Sequence, residues 1–272
     1  MCIRDRLTDS WGPAAANFLI RGTPNNTGTI LRCLMNNGIQ TVGDAKQCHA
    51  VAIDARAPRF DGGIITRLDC VVFGIVVNKH GRRFYDEGED FWPKRYAIWG
   101  RLVAEQPDQI AYIVFDSRSI NLFMPSLYPA YQADTVEALA EKIGLSPDAL
   151  RHTIDAFNAA VRPGRFDATQ LDDCRTEGLE PGKSHWARRI DQGPYYAYPV
   201  RPGITFTYLA TRVNAESRVF MAGGVPSQNI FAAGEIMAGN ILGAGYAAGI
   251  GMTIGSVFGR IAGGRAAENA RA

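Results

Sequence analysis

Leu31, Leu34 and Met35 share one face of a helix predicted over residues 28–38, with Gly38 as its C-cap. Residues 50–55 and 71–77 read as strands; the second is a near-continuous apolar run ending in a turn at Lys79-His80-Gly81. Residues 93–104 read as helix and 110–115 as strand. Val136, Leu139, Ala140 and Ile143 recur at helical spacing within 135–143. Ser146 followed by Pro147 is an N-cap with proline at the first helical position, and the helix it opens runs to about Ala160. Residues 162–181 are a polar loop rich in Gly, Pro and Asp, and 201–211 and 218–220 read as strands. No repeat or low-complexity segment interrupts this order.

The pattern changes in residues 229–263, which are glycine-rich and almost uncharged. Gly243-Ala244-Gly245-Tyr246-Ala247-Ala248 matches G-x-G-x-x-G/A, but residues 234–242 separate it from the preceding strand. After Gly249 only a helix and a short polar tail follow, with no room for the next strand of a dinucleotide-binding unit. A membrane span over 241–258 reaches the length threshold and contains Gly245-x-x-x-Gly249, yet it has few leucines. A third reading is a strand at 230–233, a turn at Gly234-Glu235, a loop over 239–251 and a buried helix over 252–261. Its N-terminus would lie against a cofactor, with glycines letting the backbone approach closely. Tight helix packing without a ligand is the alternative.

Composition narrows the function classes. The chain has 272 residues, enough for one or two domains with a core, and a net charge of +2. Neither the charge nor any basic stripe suits nucleic acid. Cys2, Cys33, Cys48, Cys70 and Cys174 show no paired spacing, which suggests reduced thiols in a cytoplasm. His49, His80, His152 and His185 are scattered, so no metal site is expected. The start is charged and lacks the apolar core of a signal peptide.

Several segments carry a resemblance. Ala232-Ala233-Gly234-Glu235, the glycine loop and Phe258-Gly259-Arg260-Ile261-Ala262-Gly263 resemble the C-terminal flavin motif of the fumarate reductase and succinate dehydrogenase flavoprotein superfamily. Asn78 to Glu87 resembles its N-x-x-G-x-R-F-x-[ND]-E motif, residues 111–116 and 139–161 resemble its capping domain, and residues 196–203 resemble the return to the flavin domain. More narrowly, residues 49–58, 85–96 and 229–238 look like the FAD-dependent tricarballylate dehydrogenases, which oxidise tricarballylate to cis-aconitate.

The resemblance implies an α/β protein: an α+β capping domain (50–205) inserted in a partial FAD-binding Rossmann-like domain (1–49 and 206–272). The superfamily's N-terminal G-x-G-x-x-G is absent from the first 45 residues, and Met1-Cys2-Ile3-Arg4-Asp5-Arg6 reads like an assembly scar. The chain is therefore expected to be the C-terminal part of a longer cytoplasmic flavoprotein. It would pass electrons to a partner protein, membrane-associated but not itself inserted.

The resemblance also assigns residues. Arg95 aligns with the proton-donating arginine, with Glu87, Glu89 and Asp90 as candidate relay groups. Glu87 has an alternative role, pairing with Arg83. A tricarboxylate needs cationic forks, and Arg56, Arg59, Arg67, Lys94, Arg95 and Arg201 fall in the segments that should face it; the resemblance favours Arg95, Arg56 and Arg67, with Lys94 close behind Arg95 as the proton donor. An arginine is otherwise ordinarily a solvated surface residue. The histidines of the fumarate clamp align near Asp54 and Phe206, beside Thr205 and Thr207, and a clamp arginine aligns with Tyr246. These departures favour a bulkier acid than fumarate. Glu235 is expected to accept hydroxyl hydrogen bonds from the ribityl chain of FAD. Gly234, Gly249, Ile250, Gly251, Met252 and Thr253 would offer backbone contacts to it.

Overall fold

The computed structural model describes residues 5–62 and 64–271. Residues 1–4, which include Cys2 and most of the segment read as a scar, lie outside the described residues, as do Gly63 and Ala272. The chain forms two compact units. One holds the described residues up to Ala16, Gly22–Ala50 and the chain from Ile204 onward; the other holds Asn17–Arg21 and Val51–Gly203. The fold class is α/β.

The second unit is built on a mixed sheet. Its long strand, Tyr195–Thr207, whose residues from Ile204 onward belong to the first unit, pairs antiparallel with Ala111–Asp116 and with Tyr131–Ala133. Ala111–Asp116 pairs antiparallel in turn with Ile75–Asn78, and Leu19–Arg21 pairs parallel with Phe60–Asp61. Cys48–Asp54 also pairs with the long strand. Successive side chains alternate between the two faces of a strand. Ile75, Val77, Val114 and Ala197 therefore pack with Leu139, Leu150, Ile154 and Phe157 of the helices Val136–Lys142 and Pro147–Ala160. Val76, Ile113, Phe115 and Tyr198 pack in a second core with Trp99, Leu102 and Val103 of the helix Trp99–Ala104. The second of these helices begins as the sequence indicates, with Ser146 accepting from the Ala149 N–H; Thr135 caps the first in the same way, accepting from the Ala138 N–H.

Three expectations need correction here. The apolar run at 71–77 is not one strand. Asp69–Phe73 is a 3₁₀ turn, and the strand begins only at Ile75. The break is at Gly74, where a Cβ would meet the Val114 carbonyl oxygen at 2.4 Å, so the chain changes course where only glycine fits. The helix expected over 93–104 is likewise split into Trp92–Arg95, a 3₁₀ turn Tyr96–Ile98 and Trp99–Ala104. The loop expected over 162–181 carries a short ladder, Val161–Arg162 with Arg175–Thr176.

The first unit has the helix Thr29–Asn36, two small ladders, a 3₁₀ helix Gly234–Asn240 and the helix Ile250–Arg271. Its core gathers Ile39, Phe206, Tyr208, Val219, Met237, Leu242 and Ile254. The C-terminal helix corrects the sequence reading twice. It runs through the segment taken as a polar tail, and among its described residues only Ile254 is buried. Alanine, glutamate and arginine in residues 262–271 are good helix formers, which explains the length. Among the described residues no helix is long and apolar enough to cross a membrane.

Candidate active site

A pocket of the second unit lies beside its second core. The strand segment Val51-Ala52, the stretch from Arg67 to Val72, and Trp92, Arg95, Tyr96 and Trp99 line it. Its walls are mainly apolar and aromatic, and its rim is charged. The cavity is small, about 20 Å³, room for about one or two waters.

Arg67 directs its fork at Asp69, at 2.6 and 3.1 Å, and lies 5.2 Å from the centre of the Tyr96 ring. Arg95 Nε lies 3.0 Å from Glu89 Oε1, but its N–H is not aimed at that oxygen. Both atoms, and Asp69 Oδ1, are buried with hydrogen-bonding capacity unspent. Tyr85 donates to Glu89; burial, first, and that bond push its hydroxyl up to about 12.

Arg21 joins this group, although nothing in the sequence singled it out. Burial, and then the nearby Arg67 guanidinium, lower its pKa, while Tyr96, Asp69 and Asp61 oppose the shift. A third guanidinium is thus held close to Arg67 in partly desolvated surroundings. The only available sequence signal was an arginine closing an apolar three-residue strand.

Other candidates on this unit sit elsewhere. Arg56 is bound in bidentate fashion to fully buried Asp54, at 2.8 and 2.6 Å, and also donates to the Pro129 carbonyl at 2.9 Å. Its guanidinium is flanked by Tyr128 and Tyr131, with Asp54 holding its pKa above the usual value. Asp54 and Arg56 therefore neutralise each other and neither lines the pocket. Lys94 is mostly exposed and pairs with Asp90 at 3.2 Å. Arg59 lies by the Phe60 ring, and Arg201 donates to the Asp108 carbonyl at 2.9 Å. Glu87 is buried against Arg83 at 2.5 Å and accepts from the Val76 N–H, so its oxygens serve the sheet and not Arg95.

The first unit holds the remaining candidates. Phe206 is buried and stacks on His49, while His49 meets Tyr246 edge-on, with 4.4 Å between ring centres. Thr205 is half-buried on the same strand. Tyr246 accepts from the Gly251 N–H at 2.9 Å and so caps the first turn of the C-terminal helix. Gly249 has φ +94°, and Thr253 donates both its N–H and its hydroxyl to the Gly249 carbonyl. Met252 is 78% exposed, beside an open glycine loop. Glu235 reaches solvent, yet desolvation by the surrounding protein pushes its carboxyl above the usual range. Ile250 opens the helix and packs partly against the core. Among the described residues no cluster of His, Cys, Asp or Glu is arranged to hold a metal.

A family model described as an FAD binding domain matches residues 4–252. The chain belongs to that family. The family points to FAD as its cofactor. A probable fumarate reductase of Shewanella frigidimarina is 31% identical over 204 residues, 73% of this chain and 32% of that protein. The open conformation of a flavocytochrome c3 fumarate reductase superposes with a TM-score of 0.65 at 24% identity, over 99% of this chain and 44% of that one. The 3-ketosteroid-Δ4-(5α)-dehydrogenase of Rhodococcus jostii RHA1 gives a TM-score of 0.65 at 22% identity, covering 98% of this chain and 50% of that one. These two structures share the fold. The chain spans about a third of the length of the curated relative it matches and about half that of the solved structures.

The glycine loop fits FAD. At Gly234, Gly243, Gly245 and Gly249 a Cβ would meet nothing within 4 Å, so the backbone there is open to a flat ligand. An exposed helix start follows directly, and its backbone dipoles favour negative charge. Gly234, Glu235, Gly249 and Met252 are the residues that would hold the group; the Ile250 N–H already donates to the Ala247 carbonyl, and the Thr253 N–H and hydroxyl to the Gly249 carbonyl. The Gly251 N–H is already used by Tyr246.

Proposed function

We propose that this chain is part of an FAD-dependent oxidoreductase that acts on a C–C bond beside a carboxylate, with tricarballylate as the substrate dehydrogenated to cis-aconitate. The observation that carries the reading is the buried, unspent Arg95 Nε–H in an aromatic pocket that also presents Arg67. Such donors at the edge of an apolar cavity suit an anionic group held for reaction. Substrate entry would require the two forks to turn from Asp69 and Glu89, because the cavity as it stands is too small for a six-carbon acid.

In this reading Arg67 binds a substrate carboxylate. Arg95 handles the proton on the carbon next to the hydride-losing one. Glu89, held by Tyr85, is the next acceptor for that proton. Bound FAD supplies the hydride acceptor. Glu235 and the glycine loop hold it, and the second unit (50–205 in the sequence reading) acts as the cap. Asp54, Arg56, Lys94, Thr205, Phe206 and Tyr246 remain proposed substrate-side residues only as the resemblance gave them. A cytoplasmic location and an electron-accepting partner belong to the same proposal.

A second reading is supported by the pocket walls. Val51, Val71, Trp92, Tyr96 and Trp99 suit a neutral cyclic ketone, and the fold is shared with a 3-ketosteroid dehydrogenase. One experiment tests both. The purified chain is incubated with FAD, desalted and its visible spectrum recorded. Tricarballylate, succinate or a 3-ketosteroid is then added without oxygen. Bleaching of a retained flavin band by tricarballylate alone supports the main reading. Bleaching by the steroid alone replaces it with the second.

A further inference from the structure

One wall of the pocket, at Asp69, Val71 and Val72, belongs to a segment with irregular backbone. Its polar groups are met by buried side chains from distant loops. Lys183 Nζ donates to the Val72 carbonyl at 2.7 Å and the Gly74 carbonyl at 2.6 Å. Ser119 Oγ donates to the Phe73 carbonyl at 2.9 Å, and the Val76 N–H donates to Glu87 at 2.8 Å. Lys183 is 2% exposed. A fully buried lysine normally contacts a carboxylate. Among the described residues its ammonium donates only to carbonyls, because the Glu87 oxygens are taken by Arg83, at 3.0 and 2.5 Å, and by the Val76 N–H.

We propose that Lys183 is a positioning residue of the pocket: its ammonium fixes the Asp69–Phe73 wall and contributes the positive potential that favours an anion there. The proposal rests on reading the pocket as an anion site. A buried charge without a contact counter-ion projects its field through weakly screening surroundings. The charged groups facing Lys183 are Glu87 and Asp86, which favour the ammonium, and Arg83 and Arg188, which oppose it. Burial outweighs them and brings the pKa down to about 8.

Two consequences run in opposite directions. The folded state binds this proton less tightly than the unfolded chain, so stability rises as pH climbs from about 8 toward the ordinary lysine value. Anion affinity falls over the same interval, because the ammonium behind the wall is lost. A residue with only a structural role would make affinity follow stability.

The test uses the full chain and its Lys183→Met and Lys183→Arg variants. Calorimetry gives tricarballylate affinity, and the melting temperature gives stability, from below to above the lysine transition. The wild type is expected to lose on the order of tenfold in affinity while its melting temperature rises. Lys183→Arg should hold its affinity flat with pH. Lys183→Met should bind on the order of tenfold more weakly throughout and show neither pH step. Affinity that tracks stability in the wild type, or a wild-type pH step kept in Lys183→Met, overturns the proposed charge role. If the wild type binds no tricarballylate at any pH, the anion reading has failed and only the anchoring is still open. Hydrogen exchange decides it: faster exchange confined to residues 69–76 in Lys183→Met supports anchoring, and unchanged exchange there removes it.

Discussion

The glycine loop of the first unit and the arginine pocket of the second are built by opposite means. The loop presents backbone, lies open and carries almost no charge. The pocket presents side chains, is nearly closed, and has each of its charged forks set against an acid: Arg67 with Asp69 and Arg95 with Glu89. Backbone sites of this kind depend on what side chains leave empty, so their sensitivity is to added volume. A side-chain site depends on charge balance, and is damaged by removal. The two regions should therefore fail differently under mutation.

The largest effect expected is at the charge-balanced side. Arg83 and Glu87 are 4% and 0% exposed in their side chains. Glu87→Ala leaves a buried guanidinium and the Val76 N–H without their acceptor, and should cost about 3–5 kcal/mol in urea denaturation. A loss below 1 kcal/mol, the scale of a surface pair, would show that the second unit does not depend on buried charge balance.

Arg95→Ala comes next. Its partner Glu89 is partly exposed, so stability should change by no more than about 1 kcal/mol. Turnover of tricarballylate by the FAD-loaded protein should fall by about 10²-fold or more if Arg95 carries the proton. Unchanged turnover would remove Arg95 from the chemistry while leaving the pocket description intact.

The glycine side can be split by a matched pair. A Cβ on Gly239 would meet the Tyr208 carbonyl oxygen at 2.0 Å, whereas one on Gly243 would meet nothing within 4 Å. Gly239→Ala should destabilise by about 1–3 kcal/mol, and Gly243→Ala by less than about 0.5 kcal/mol. Gly243→Ala should nevertheless weaken FAD retention after desalting. Equal melting temperatures for the two variants would contradict the tight packing seen at Gly239.

The smallest effect is expected on the exposed side of the helix Val136–Lys142. Glu137 pairs with Arg151 on the surface, and hydrogen bonding to that arginine holds its carboxyl down at about 2. Its contribution is present above the ordinary glutamate pKa and is lost as pH falls through the folded value. Glu137→Gln should lower the melting temperature slightly at neutral pH, and its difference from the wild type should shrink to nothing as pH falls toward about 2.

How much of this was legible depended on whether the cause was local. The helices at Val136–Lys142 and Pro147–Ala160 could be read because cap, proline and apolar spacing all lie within the segment. The break in the apolar run at Gly74 could not, because its cause is a carbonyl forty residues away in Val114. Arg56 looked like a free cation in sequence, and its engagement by Asp54 and the Pro129 carbonyl appears only in three dimensions. Arg21 was missed for the same reason: its neighbours Arg67, Asp69 and Tyr96 are distant in the chain. The glycine loop was conspicuous in sequence because its composition is unusual; the small exposure-driven detail, a helix with only Ile254 buried, was not.

The long strand Tyr195–Thr207 has a consequence for how the protein is made. Its partner Ala111–Asp116 precedes it by some eighty residues, with both Val136–Lys142 and Pro147–Ala160 in between. On the ribosome the hairpin of Ile75–Asn78 with Ala111–Asp116 emerges first, with one bare apolar edge awaiting a strand not yet synthesised. At a typical elongation rate of about 5–20 residues per second, that edge stays unpaired for several seconds. Nascent chains would therefore need shielding during that interval, and slowing translation between residues 116 and 195 should lower the soluble yield.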